Sequence, residues 1–174
     1  MIIEAVIPLL LEHGKDVTSR QIAEAAGIAE GTIFRAFGDK ETLITAAVTA
    51  FMEGRNRSDL EPHIDPLLPF DDKLRALVEG MRHRVRDVMR MAALTGRRGP
   101  GPDEAQRLKF NAMISAVFDN NRSELRVDPD ELGDYIRMFA IASSIPIGTR
   151  QFSDDELVTF IKHGLLKPPS KDRN

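Results

Sequence analysis

Between Thr18 and Phe37 the chain has room for only two helices of about two turns each, and that brevity constrains the fold more than any other feature. The first is announced by Thr18-Ser19-Arg20-Gln21, a capping box in which Thr18 caps and Gln21 reaches back. Ile22, Ala23 and Ala26 then make a small apolar face, Gly27 ends the helix and Ile28 follows in the turn. The second runs from Glu30 to Phe37, with Glu30 in its first turn favouring the macrodipole. Upstream, Ile2 to Glu12 is apolar nearly all round, as expected of a short helix in a small bundle, and Gly14 supplies its stop. Pro8 interrupts that pattern and predicts a kink or one free carbonyl. Downstream, Gly38-Asp39 is a break, and Asp39 caps a longer helix through Leu43, Ala47 and Phe51.

The remainder is helical too. Gly54, Pro62, Pro66 and Pro69 make residues 54–70 a connector. From Asp71 to about Leu94, Leu74, Leu77, Val78, Met81, Val85, Val88 and Met89 recur at three- and four-residue steps. Residues 96–102 read as a flexible loop, helices follow over roughly 103–120, 129–145 and 153–166, and the tail 167–174 should fray. No strand-like alternation and no internal repeat is present. The expected fold is all-α: a three-helix head over 1–51 and a helical bundle over 52–174.

Composition removes several functions. No apolar run approaches the roughly 18 to 20 residues of a membrane span, and Met1-Ile2-Ile3-Glu4 has neither the basic region nor the cleavage site of a signal peptide. The plain expectation is cytoplasmic. With no cysteine there is no disulfide, thiolate metal site or thiol nucleophile. His13, His63, His83 and His163 are scattered without ligand spacing. No phosphate loop, nucleophile elbow or carboxylate pair stands out, so neither catalysis, a metal nor a cofactor is expected.

Two short helices joined by a glycine-containing turn, with a third packed across them, form a helix-turn-helix. Its second helix must be short, exposed and polar at its start to enter a major groove, while the first lies over the backbone. Here Ile22, Ala23, Ala26, Ile28 and Ile33 can form the inner core, and Gly27 permits a positive φ. Arg20, Glu30, Thr32 and Arg35 remain outward. The run Ile22-Ala23-Glu24-Ala25-Ala26-Gly27-Ile28-Ala29-Glu30-Gly31-Thr32-Ile33-Phe34-Arg35-Ala36-Phe37, followed by Lys40 and Leu43, resembles the TetR family signature. Ile2 to Gly14 resembles that family's first helix, so the specific match covers about residues 2–51.

The resemblance implies a DNA-binding regulator, a ligand-responsive repressor that binds a palindromic operator as a dimer. Thr18 and Ser19 would hold phosphate, Gly31 and Thr32 would sit at the groove, Arg35 would lie near bases or phosphates, and Lys40 would grip the backbone. Arg20 reads bases or is solvated, and Glu30 accepts from a cytosine amino group or serves only the helix dipole. Phe34 stands where the family usually has tyrosine, and Ala36 where histidine or tyrosine is common; both changes delete a phosphate hydrogen bond. The usual basic residues ahead of the first helix are not seen before Ile2. Residues 1–51 hold four basic residues, Lys15, Arg20, Arg35 and Lys40, against seven acidic ones, a net of −3. The alternative is therefore a helical ligand-binding or protein-interaction module that keeps the fold and binds DNA weakly or not at all.

The family implies two tasks for the bundle, pairing with a second copy and binding a small-molecule inducer. For pairing, Leu132, Ile136, Phe139, Ala140 and Ser143 form one stripe and Leu157, Phe160, Ile161 and Leu165 another, with intramolecular core as the competing use. For the ligand, Met81, Met89, Phe110 and Met113 are the candidates, again against a core role.

Overall fold

The computed structural model describes residues 1–53, 64–96, 104–145 and 150–166. The tail, most of the 96–102 loop and residues 54–63 of the connector lie outside them. The described residues fold as eight α-helices: α1 (Ile2–His13), α2 (Ser19–Ala26), α3 (Glu30–Phe37), α4 (Lys40–Met52), α5 (Phe70–Thr95), α6 (Glu104–Phe118), α7 (Pro129–Ser144) and α8 (Asp154–Leu165). The fold is all-α with a helix-turn-helix head, and its helices begin and end within a residue or two of the expected positions.

Local hydrogen bonds explain that agreement. The Thr18 hydroxyl oxygen accepts from the Gln21 amide, and the Gln21 side chain accepts in return from the Thr18 amide at 2.8 Å. Gly27 ends α2 in the left-handed region at φ 65°. Asp39 caps α4 through the Thr42 amide at 2.7 Å, and that bond holds the Asp39 carboxyl below the usual carboxylate range. Ser153 and Glu156 form a second capping box at α8. Pro8 sits in an α1 that continues to His13, on its exposed side, where water can reach the carbonyl left without a helical donor.

The chain packs as two units. The described residues of Met1–Glu61 join those of Arg86–Pro102, and the described residues of Pro62–Val85 join those of Asp103–Asn174. In the first unit Val6, Leu10, Val17, Ile22, Ile33, Leu43, Ala47 and Phe51 form a core completed by Met91, with Val88, Ala92 and Leu94 packed around it. By packing, then, the head is larger than the expected 1–51. Helices of two turns are marginal alone, and the end of α5 supplies apolar surface to bury them.

In the second unit Leu74, Leu77, Val78 and Met81 of α5 share a core with Ile114 and Phe118 of α6, Leu132, Ile136 and Ala140 of α7, and Leu157, Ile161 and Leu165 of α8. Three ion pairs link α5 to α8: Asp71 with Lys162 at 2.6 Å, Arg75 with Asp155, and Arg82 with Asp154. Helices α6 and α7 meet at Gly133, where a Cβ would lie 2.4 Å from the Asn111 Oδ1 and 3.2 Å from the Phe110 ring. Gly133→Ala should therefore lower stability by about 1–3 kcal/mol through overpacking, despite the better helix propensity of alanine. A fall in the urea midpoint at unchanged m-value is the expected reading.

Candidate nucleic-acid interface

Helix α3 is held by Ile33, which is fully buried, and by the half-buried Phe37. The same rotation leaves Glu30, Gly31, Phe34, Arg35 and Ala36 exposed and Thr32 half-buried. Unlike α2 and α4 on either side, α3 has no side-chain cap, because the N-cap residue is Ala29. The Thr32 amide turns back to the Ala29 carbonyl at 2.8 Å. Gly31 is helical, and a Cβ there would meet nothing within 4 Å. Glycine in a helix costs about 1 kcal/mol relative to alanine, so the fold gains nothing from it. What the missing side chain leaves is room for a close approach from outside.

The polar groups around α3 are less free than their sequence suggests. Lys40 Nζ donates to the Lys15 carbonyl at 3.0 Å and the Val17 carbonyl at 3.1 Å, tying the start of α4 to the segment before α2. An ammonium has three protons, so at most one remains for a phosphate. The Thr18 hydroxyl donates to the Gln21 Oε1 at 2.9 Å, which leaves phosphate binding at this helix start to Ser19 and to the first-turn amides of Ser19 and Arg20. Arg20 Nε pairs with Glu24 at 3.0 Å, and Glu24 with a weaker push from Glu30 raises the guanidinium pKa further. Arg35 Nε reaches the Gly31 carbonyl at 3.3 Å along its own helix. Sequence reasoning passed over Lys15, which is exposed three residues before the α2 cap. Its only signal was that position, since no periodicity singles it out.

Residues 2–47 match the family described as bacterial regulatory proteins, tetR family. That match makes the head, residues 2–47, a TetR-type helix-turn-helix. Over 139 residues it is 25% identical to the HTH-type transcriptional repressor KstR2 of Mycobacterium tuberculosis, covering 78% of this chain and 64% of that protein. The chain thus spans less than two thirds of the length of the curated relative it matches. In fold it resembles a TetR transcriptional regulator of Streptomyces coelicolor, at 24% identity and TM-score 0.50, over 95% of this chain and 96% of that one. A TetR-family regulator of Pectobacterium atrosepticum is similar at 21% identity and TM-score 0.51, over 97% of this chain and 93% of that one.

The residues expected to pair protomers lie mostly inward. Leu132, Ile136, Ala140, Leu157, Ile161 and Leu165 belong to the core of the second unit. Phe139 is half-buried and meets Phe160 edge to face at 5.8 Å, and the Ser143 hydroxyl donates to the Ala140 carbonyl. Of the nine only Phe160 is well exposed, at 67%. The outward apolar residues here are instead Tyr135, Met138 and Ile141 of α7 and Ile145 just after it. Periodicity finds apolar faces; it does not say which one the chain covers itself.

The ligand candidates are also dispersed. Met81 is in the core of the second unit, Met113 is half-buried against it, and Phe110 carries the Arg137 guanidinium 5.0 Å above its ring. Met89 belongs to the other unit and is exposed. An open polar depression of α6 and α7 is lined by Glu104, Arg107, Leu108, Asn111 and Asp134, none of them a candidate. Among the described residues no group of three or more metal-ligating side chains occurs, and no helix is long and apolar enough to cross a membrane.

Gly31 offers a clean separation of fold from function. Gly31→Leu should leave stability unchanged or slightly raised, because helix propensity improves and nothing is struck. DNA affinity, measured by fluorescence anisotropy, should fall at least tenfold, since the new side chain fills the approach. Equal loss of stability and affinity would show instead that Gly31 serves the fold.

Proposed function

We propose that this chain is a homodimeric transcriptional repressor that binds a palindromic operator through α2 and α3 and responds to a small molecule held by its bundle. The observation that carries the reading is α3 itself: exposed, uncapped, and with a glycine at position 31 that the fold does not require. KstR2, to which the chain is similar, is a transcriptional repressor, which supports the reading. On this reading residues 1–51 contact DNA and 52–174 bind ligand and pair protomers. The contact residues are Ser19, Arg20, Glu30, Gly31, Thr32, Phe34 and Arg35, helped by Thr18 and Lys40 through the positions they maintain. Pairing uses Tyr135, Met138, Ile141, Ile145 and Phe160, the apolar surface that α7 and α8 leave open. A dimer is needed because one head reads half a palindrome, and two recognition helices must stand about 34 Å apart or a multiple of that.

A second reading, a ligand-binding module that no longer binds DNA usefully, is favoured by the net negative head and by the commitment of Lys40 to two carbonyls. Titration of fluorescent upstream and random-sequence duplexes at low and physiological salt separates the two. If Lys15, Arg20, Arg35 and the last proton of Lys40 all meet phosphate, a dimer neutralises no more than about eight charges. The slope of log K against log salt should then be no steeper than about −7. Thr32→Ala should weaken binding to the upstream fragment. Failure of a folded dimer to bind either duplex would favour the second reading.

A further inference from the structure

We propose that α3 recognises thymine through Phe34, whose ring packs on a thymine 5-methyl group in each half-site, so that part of the operator specificity is apolar. The inference rests on the DNA-binding reading and deepens it. Phe34 is 47% exposed and is not part of the head core, which Ile33 and Phe37 already fill from this helix. The fold therefore makes little use of the ring. Having no polar atom, it can neither hold a phosphate nor hydrogen-bond a base edge. The apolar group that base pairs present in the major groove is the methyl of thymine.

The placement of Phe34 on α3 fits this use. With Ile33 turned inward, helical rotation of about 100° per residue puts Gly31 and Arg35 on the outermost line and Phe34 on one flank. The open space at Gly31 lets the α3 backbone come close to the groove floor, which brings the flanking ring to base edges. Glu30 stands one turn earlier on the same flank and is exposed. A carboxylate there is repelled by phosphates, so this flank is better suited to bases than to the DNA backbone.

The test uses the full chain and a duplex site selected from random-sequence DNA. Each thymine is replaced in turn by deoxyuridine, which removes the methyl group and nothing else. For the wild type, one symmetry-related pair of positions should lose about fourfold in affinity per half-site, the worth of one buried methyl, and about 15-fold when both are changed. Phe34→Ala should bind the parent site more weakly and no longer distinguish thymine from deoxyuridine, while Phe34→Leu should keep part of the discrimination. Wild-type binding indifferent to every deoxyuridine, or a Phe34→Ala variant that still discriminates, would overturn the inference and leave the DNA-binding reading standing. A folded protein that selects no DNA would overturn both.

Discussion

Lys73→Met is expected to lower the unfolding free energy by about 3–5 kcal/mol, the largest loss from any conservative change in size. Lys73 is 1% exposed. Its ammonium donates to the Val117 carbonyl at 3.1 Å, the Asn121 Oδ1 at 2.5 Å and the Pro66 carbonyl at 3.3 Å, and lies 5.2 Å from the centre of the Phe118 ring. Three acceptors match the three protons of a charged lysine. Val117 is the penultimate residue of α6, so its carbonyl has no helical donor of its own, and a cation there also meets the negative end of the helix. Lys73 thus caps α6 from α5 and holds the turn before α5 in the same bond set. Methionine keeps most of the volume and leaves three oxygens without a donor.

Thermal unfolding should register the Lys73 loss as a Tm lower by roughly 6–20 °C at this chain length. A change under 1 kcal/mol would mean that water replaces the lysine at no cost. The alkaline behaviour gives a second check. Burial, partly offset by Glu124, pushes the Lys73 ammonium below the ordinary lysine range. Between that lowered value and the unfolded one, the unfolded chain retains a proton that the folded chain has released. This group therefore makes stability rise with pH in that window. The methionine variant should lack that part of the rise.

If the chain pairs as proposed, Met138→Arg combined with Phe160→Arg should leave it monomeric and reduce DNA affinity at least 100-fold. Both side chains are exposed in the single chain, at 56% and 67%, so its fold does not depend on them. In a twofold interface each patch meets its own copy, and an added positive charge faces the same charge across the axis. Each large apolar side chain buried there is worth about 1.5–3 kcal/mol, lost twice over in the dimer. Sedimentation should give half the wild-type mass with helix content retained. Leu132→Arg makes the contrast, since Leu132 is fully buried in the chain's own core and its replacement should unfold the second unit. A double variant that remains dimeric would place the interface elsewhere.

Much of the head was legible before any coordinates. Thr18 and Gln21, Gly27 and Asp39 act on partners no more than four residues away, so residue type and spacing carry their meaning. The exposed face of α3 was readable for the same reason, because one buried residue, Ile33, orients the whole two-turn helix. Residues with distant partners were misread or missed. Lys40 looked like a free phosphate ligand, yet it donates to carbonyls 23 and 25 residues away. Lys73 has no local signal at all, and only the structure places its head against Val117, 44 residues on.

Helix α7 makes the division sharpest. Leu132, Ile136 and Ala140 form one apolar face, and Tyr135, Met138 and Ile141 another. Helical spacing announces both and ranks neither. The sequence by itself determined where the helices start and stop and which face of α3 is offered outward, because those depend on bonds within a turn of helix. Only the tertiary structure decided which apolar face of α7 is core, and which lysines are structural, because those depend on what distant segments bring to them.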